Sequence, residues 1–490
     1  MSKVKANSPL PTDTAPRGSR LVWRTSCRAT SARRSMDPFF TTAPLRCPTI
    51  GADCSRAYPR NRFPKPNIDA NLVNRLTLRM QRRITEVPIM SARARVLVTT
   101  DIGGTDPDDF QSMVHLLLYA DAVDIEGLVS SPYGDGRAGD IHAVIDAYEA
   151  DFPALATHAR YPAPGKLRAL VKQGALEVAP DAGFADPTEG SEWIVACARR
   201  EDPRPLHVLV WGGLEDVAQA LHDAPDIARN IAVYYIGGPN TTWGVDAYAY
   251  VEAHHRDVTF IESNNSYRGF FVGTADDDLS PTRFIPEHAA GRGALGDFFA
   301  RQLPTVKMGD SPTLTWVLDG APHPDRQSWG GRYVPIWGGR ASRIAHPATR
   351  ADIVEAFGVV EILAPMPAGW GEDDRAGLTF DGRTQGPFPE GIVEGDRLRF
   401  RLSPRDVREM DYEIRSSHPA LDGQRGSFTA ALPGADRWRV PSADHRDWWC
   451  DDLSPDLAID GWPGAATIAQ PRREIMRDFA ARLARTTPRF

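Results

Sequence analysis

Asp101-Ile-Gly-Gly-Thr-Asp-Pro-Asp-Asp-Phe110 joins an apolar run, Arg95-Val-Leu-Val-Thr-Thr100, to a segment in which Met113, Val114, Leu116 and Leu117 recur at helical spacing. The run reads as a buried strand and the segment as a helix. Asp101, Asp106, Asp108 and Asp109 therefore share one strand-to-helix turn, made pliable by Gly103 and Gly104. Helix capping and first-turn charge account for one or two such acids. Four together need raised pKa values or a cation between them. Hard oxygen ligands on a glycine-rich turn suit Ca²⁺ or Mg²⁺, and ligand sites of open α/β sheets lie at this end of the strands.

The chain has 490 residues, 42% of them hydrophobic, which predicts two domains or one large domain with insertions. Its formal charge of −7 hides an asymmetry. Residues 1–90 hold 17 Lys and Arg against 5 Asp and Glu, a net of +12, and the remainder holds 40 against 59, a net of −19. An acidic body disfavours nucleic acid as a partner, since phosphate is repelled. Of five cysteines only Cys197 and Cys450 lie outside the basic leader, with no metal spacing, so a disulfide framework is not expected and a reducing cytoplasm fits. No apolar run approaches the ~18–20 residues of a membrane span.

Residues 1–90 are rich in Arg, Ser, Thr and Pro without sustained periodicity, and a disordered, dispensable basic leader is expected there. A transit peptide, a nucleic-acid arm and upstream sequence ahead of a start at Met90 are the readings weighed for it. From Arg95 the chain alternates. Strands are expected at 123–130, 206–211, 231–236 and 257–262, the last closing the series. Helices are expected at 138–151, 164–172, 191–200 and 214–222. Such alternation means a mainly parallel sheet with helices on both faces. Residues 350–440 carry Pro, Gly and short alternating runs such as Asp396-Arg-Leu-Arg-Phe-Arg-Leu402, the pattern of a small antiparallel β-rich insertion. The expected organisation is a main domain over 91–349, the insertion over 350–440, and a 441–490 segment whose helix, Arg472–Arg485, packs back on the main domain.

TTDIGGTDPDDFQSMVHLLLYA (99–120), DIEGLVSS (124–131), YPAPGKLRALVKQG (161–174), GSEWIVACARREDPRPLHVLVWGGLEDVAQAL (190–221) and GDSPTLTWVL (309–318) occur in one order. Together they resemble the nucleoside hydrolase-like family often labelled cellulose-binding proteins, relatives of the inosine-uridine preferring nucleoside hydrolases. The resemblance covers most of 95–345 and the closing helix. It implies an α/β, nucleoside hydrolase-like fold and a Ca²⁺ (or Mg²⁺) site that orients water against an N-glycosyl bond. The chain departs from the family pattern at Thr105, an extra residue before Asp106, at Glu215 and Asp216 in the GGLED segment, and in the placement of the β-rich stretch before the closing helix.

Carried over residue by residue, the resemblance implies Asp101, Asp108, Asp109 and Asp310 as metal ligands. A main-chain carbonyl at Leu214 or Glu215 completes the set, and an inward Glu215 side chain would strengthen it. Asp101, Asp106 and Asp108 are the catalytic candidates, with Asp106 available as the base. Asp310 also reads as an N-cap ahead of Pro312. Asn240, Asn264 and Arg268 follow later strands as candidates for substrate binding, and Trp243, Tyr267, Trp329 and Trp337 as stacking surfaces. His142, His207, His254, His255 and His323 offer protons to a leaving base, with no spacing that selects one. The expected function is metal-dependent hydrolysis of a nucleoside or related glycoside. The alternative is a non-catalytic carbohydrate-binding protein on a hydrolase-like scaffold. The expected partner is a small-molecule nucleoside or sugar, with no nucleic acid or membrane, and homo-oligomerisation is left open.

Overall fold

The computed structural model describes residues 93–104, 106–132, 136–380 and 389–487. The expected leader at 1–90 lies outside them. Eight strands form the central sheet in the order β3 (Val171–Gln173), β2 (Asp124–Ser130), β1 (Arg95–Thr100), β4 (Leu206–Val210), β5 (Ile231–Ile236), β6 (Thr259–Ser263), β16 (Trp448–Asp451) and β7 (Tyr333–Pro335). Every pairing from β3 to β16 is parallel, and β7 runs antiparallel against β16. β1, β4 and β5 are buried throughout, which is why they read as continuous apolar runs.

The two faces of the sheet feed separate cores. Val96 and Val98 pack with Met113, Leu117, Ile141 and Tyr148 on one side. Leu97, Val208 and Val210 pack with Ile194, Val217 and Val251 on the other. The Ala465–Leu483 helix closes the first core through Ile468, Ile475, Phe479 and Leu483. Among the described residues no helix is long and apolar enough to cross a membrane.

Three expectations need correction. The helix at 164–172 ends at Ala169, because Val171–Gln173 pairs with β2 as an edge strand. The strand series does not close at Glu262, since β16 adds to β6 and carries β7 with it. The β-rich part starts earlier and is not wholly antiparallel. It holds two four-stranded sheets, β12-β13-β10-β8 and β11-β14-β15-β9. Their strands are β8 (Ser342–Ala345), β9 (Ile353–Glu355), β10 (Val360–Pro365), β11 (Ala376–Phe380), β12 (Gly391–Glu394), β13 (Arg397–Leu402), β14 (Glu409–Ser416) and β15 (Arg425–Ala431). β8 runs parallel to β10, and β9 runs parallel to β15. A core of its own, including Ile362, Leu378, Phe400, Ile414 and Phe428, fills the space between them. Arg399 and Arg401 tie this unit to the main domain, each 2.6 Å from its partner, Asp181 and Asp246 respectively.

The sheet places the acidic turn decisively. Strand order runs outward from β1 in both directions, to β2 and β3 on one side and to β4, β5 and β6 on the other. The carboxyl ends of β1 and β4 thus flank a topological switch point, where the crevice of an open α/β sheet forms. Asp101 follows β1 there, and Gly212-Gly213 follow β4.

Candidate active site

The turn after β1 is locked by its own backbone and by Thr100. Gly104 N–H donates to the Asp101 carbonyl at 2.9 Å, and Gly103 takes φ 85°, a left-handed conformation that glycine adopts without strain. The Thr100 hydroxyl accepts from Ile102 N–H at 3.1 Å and donates to Asp109 Oδ1. Asp108 and Asp109 open the Asp108–Leu118 helix and are 7% and 3% exposed.

Asp310 reaches them from 200 residues away because its loop is bolted down at three points. Gln111 accepts from Lys307 N–H at 2.9 Å and donates to the Thr305 carbonyl at 3.1 Å. His115 Nδ1 and Ser311 Oγ share a hydrogen bond of 2.9 Å. Trp211 Nε1 donates to Thr313 Oγ1 at 2.8 Å, and that hydroxyl donates to the Asp310 carbonyl at 2.8 Å. Carboxylate oxygens of Asp108, Asp109 and Asp310 consequently lie within 4.8 Å of one another. Asp310 Oδ2 is buried without a hydrogen-bond partner.

Burial dominates the electrostatics. It drives Asp101, Asp108 and Asp310 well above the ordinary carboxylate range, and the neighbouring acids push the same way. Asp109 is raised to about 7, again by burial first, against the hydrogen bonds from Thr100 and Asp101. Asp106 behaves oppositely. Burial raises it, but hydrogen bonds from Asp108 and Lys307 outweigh that and hold it low.

The donor set fits a hard divalent cation. Oxygens within 4.8 Å of one another can surround one ion at the ~2.3–2.6 Å of Ca²⁺–oxygen contacts after shifts of a few tenths of an ångström at most. All three are carboxylates, and Asp310 Oδ2 is buried without a hydrogen-bond partner.

Not every expected residue joins this trio. Asp101 is outside the trio but close enough to Asp109 for the two carboxylates to influence each other's titration. Glu215 is not one of the three whose oxygens lie within 4.8 Å of one another: it begins the Glu215–Asp223 helix, and its carboxylate lies over Gly213 and Gly244, where missing Cβ atoms leave room. It is 4% exposed with neither oxygen hydrogen-bonded, and burial pushes it up to about 8. Asp216 is occupied elsewhere, accepting from Thr188 Oγ1 at 2.5 Å and Ala175 N–H at 3.1 Å.

Glu215, Asp101, Asn240 and Trp243 line a hollow of about 10 Å³, the size of one water. The Asn240 amide clamps two strand ends, donating to the Trp211 and Ile236 carbonyls at 3.1 and 2.9 Å. Asn264 is engaged within the fold. Its side chain accepts from Gly238 N–H at 2.8 Å and donates to Glu262, so both ends serve the fold rather than a ligand. The Arg268 guanidinium lies 3.9 Å over Trp462 and 5.1 Å over Tyr267. The Tyr267 ring in turn borders Gly309 beside Asp108. Trp337 is a core residue whose Nε1 donates to Glu355 at 2.7 Å, and His207 packs edge-on against Trp316 at 5.5 Å.

Lys307 went unnoticed in the sequence. Its ammonium, one-third exposed, pairs with Asp106 and stands 3.6 Å from Asp108 Oδ1, a positive charge beside one member of the acidic trio. The one available signal was its position three residues before Asp310.

Gly212 tests the packing of this corner. A Cβ there would meet the Asp101 backbone nitrogen and Cβ, both at 2.8 Å, and Ser131 Oγ at 2.7 Å. Gly212→Ala is expected to displace Asp101 and weaken Ca²⁺ binding by about tenfold or more, measured by calorimetry on folded protein. Unchanged affinity would mean that Asp101 does not shape the trio.

The family model described as cellulose-binding Sde182, nucleoside hydrolase-like domain, matches residues 95–333. Among solved structures, a nucleoside hydrolase-related hypothetical protein from Saccharophagus degradans, associated with carbohydrate metabolism, is 17% identical with a TM-score of 0.41. That alignment covers 70% of this chain and 100% of the other. The inosine-uridine preferring nucleoside hydrolase from Bacillus anthracis is 18% identical with a TM-score of 0.32, covering 50% of this chain and 85% of its own. A purine-preferring ribonucleoside hydrolase from Gardnerella vaginalis is 12% identical with a TM-score of 0.33, covering 80% and 99%. No curated protein matches the chain.

Proposed function

We propose a divalent-cation-dependent hydrolase of N-glycosyl bonds acting on a nucleoside or related glycoside, a reading supported by the match of residues 95–333 to the model described as cellulose-binding Sde182, nucleoside hydrolase-like domain. The observation that carries it is the buried trio Asp108, Asp109 and Asp310, with an unpartnered oxygen on Asp310. These three residues would hold Ca²⁺ or Mg²⁺, which when bound lowers the pKa of water and orients it.

The chain's own groups divide the remaining work. Asp106, held ionised by Lys307, accepts the proton of the attacking water. Asp101 and Asp108 place negative charge beside the sugar as positive charge develops on it. Thr100 and the Gly309 N–H, 3.3 Å from Asp108 Oδ2, fix the carboxylates so that none swings out of line. Tyr267, whose ring borders Gly309 and Asp108, backs the carboxylates with an apolar surface, and Arg268 covers its ring at 5.1 Å.

The test is release of free base from a panel of purine and pyrimidine nucleosides, with added Ca²⁺ and with EDTA. Release only with the cation is expected. No release from any nucleoside with Ca²⁺ present would remove this reading.

One observation favours a second. Lys307 already supplies a positive charge to Asp106 and Asp108, which suits a binding protein that keeps a sugar pocket without a metal or turnover. Carbohydrate binding unchanged by EDTA, with no hydrolysis, is the outcome that selects it.

A further inference from the structure

Three carboxylates buried together cannot all stay charged without a counter-charge. Among the described residues one cationic side chain meets that need. Lys307 pairs with Asp106 and stands 3.6 Å from Asp108 Oδ1. Its charge reaches past Asp108. Burial raises Asp108, Asp109 and Asp310, and Lys307 is the cation that pulls each of them back. Burial lowers Lys307 in turn, but Asp108, Asp106 and Asp310 outweigh it and keep the ammonium charged.

The two ends of this lysine differ in freedom. Its backbone is fixed, since Lys307 N–H donates to Gln111 Oε1 at 2.9 Å and Gln111 donates to the Thr305 carbonyl. Its side chain is 32% exposed and reaches solvent beside Asp106, whose side chain is 52% exposed. Asp108 is the opposite case, with 10% of its side chain exposed and Oδ2 lying 3.3 Å from the Gly309 nitrogen. The ammonium therefore bridges a fixed, buried acid of the trio and an exposed acid outside it.

A divalent ion touching Asp108 at ~2.3–2.6 Å would stand within about 8 Å of that ammonium. This lies inside the ~10 Å Debye length at 0.1 M salt, so the two positive charges repel. The lysine can relieve the repulsion by moving onto Asp106, which it already holds. A monovalent ion has no such leverage. It brings no more charge than the ammonium that it would push aside.

We propose that Lys307 is the resident counter-ion of the acidic trio and selects its cation by charge: a divalent ion displaces the ammonium from Asp108 onto Asp106, whereas Na⁺ and K⁺ do not load. This rests on the cation site of the proposed function, and adds the charge class of the ion and the group it displaces.

The test is calorimetric titration of the full-length protein with Ca²⁺ at pH 8, beside melting temperatures in EDTA with KCl or with choline chloride. Lys307→Met is expected to melt lower than wild type in EDTA, yet to bind Ca²⁺ about tenfold more tightly. It is also expected to gain a rise in melting temperature with K⁺ over choline that wild type lacks. Lys307→Arg keeps the charge and should keep an affinity near wild type, which separates charge from packing. Lys307→Gln takes the place of Lys307→Met if the melts show that the latter does not fold. Ca²⁺ bound equally or more weakly by the folded charge-free variant overturns the counter-ion role and leaves the cation site standing. So does a wild type that K⁺ stabilises as strongly as the variant. Ca²⁺ bound by neither protein removes the cation reading itself, and this inference with it.

Discussion

Asp109→Asn is expected to raise the melting temperature of the cation-free protein at pH 8 by a few degrees, while abolishing both the response to Ca²⁺ and the release of free base. The opposite signs follow from one fact: Asp109 is 3% exposed and shares its space with Asp101, Asp108 and Asp310. Its folded pKa, raised to about 7 mainly by burial, lies above the unfolded value of 3.8. A raised carboxylate pKa means that the folded state holds the proton more tightly. The resulting destabilisation is absent below the unfolded pKa, grows as pH rises, and is complete above about 7. Asparagine removes the charge, keeps an oxygen to accept from Thr100, and relieves on the order of 1–3 kcal/mol in the cation-free protein at pH 8. With Ca²⁺ the balance reverses. At a hundredfold excess over Kd the wild type gains about 2.7 kcal/mol, and because binding must displace protons the gain increases from pH 5.5 to pH 8. Thermal melts of both proteins at these pH values, in EDTA and in Ca²⁺, give the comparison. A variant that melts lower than wild type in EDTA at pH 8, or that still responds to Ca²⁺, contradicts the trio as a cation site.

The parts of this molecule legible in its sequence are those where local pattern and tertiary role agree. β1 is apolar because it is buried on both faces, and the glycines and acids after it mark a turn before a helix. Both features are local. Asp310 was within reach only through a resemblance, because nothing local relates a residue in one loop to acids some 200 positions earlier. Lys307 gave only its place three residues before Asp310 as a signal, and a lone lysine near a loop aspartate resembles any solvated charge. Glu215 lies outside the trio, its carboxylate seated over Gly213 and Gly244, a placement that depends on glycines the local pattern does not relate to it. β16 escaped for another reason. Trp448–Asp451 spans four residues, too short for a period, and it is a strand because β6 offers an open edge. The parallel pairs in the β-rich unit were equally hidden, since alternation fixes which face is buried but not which neighbour a strand takes.

Arg340→Met is expected to destabilise the protein by about 3–5 kcal/mol, the range for breaking a buried ion pair by removing one partner. Arg340 lies in the link between β7 and β8 and is 3% exposed. Its Nη1 and Nη2 donate to the two Glu262 oxygens at 2.9 and 2.8 Å, a bidentate pair at the end of β6. Nη1 also reaches Tyr248 Oη at 3.1 Å, Nη2 donates to the Phe357 carbonyl at 2.8 Å, and Nε stands 3.3 Å from Glu355 on β9. One side chain therefore joins the central sheet to the β-rich unit. Burial alone would raise Glu262, and Arg340 is the chief reason that it stays below the ordinary carboxylate range. With methionine at 340, two buried carboxylates lose their shared counter-charge. Arg340→Lys should recover little, because an ammonium cannot span both Glu262 oxygens and the Phe357 carbonyl at once. Arg340→Met combined with Glu262→Gln should recover much of the loss, since the amide removes one of the two carboxylate charges and Glu355 keeps its ion pair with Arg437 at 2.8 Å. Urea unfolding of the two single variants and the double gives the coupling directly, and limited proteolysis is expected to cut the 336–342 link faster in the Arg340→Met single variant. A loss below about 1 kcal/mol, or a double variant no more stable than the single, would show that the β-rich unit is held by its other ion pairs, Arg399–Asp181 and Arg401–Asp246, rather than through Arg340.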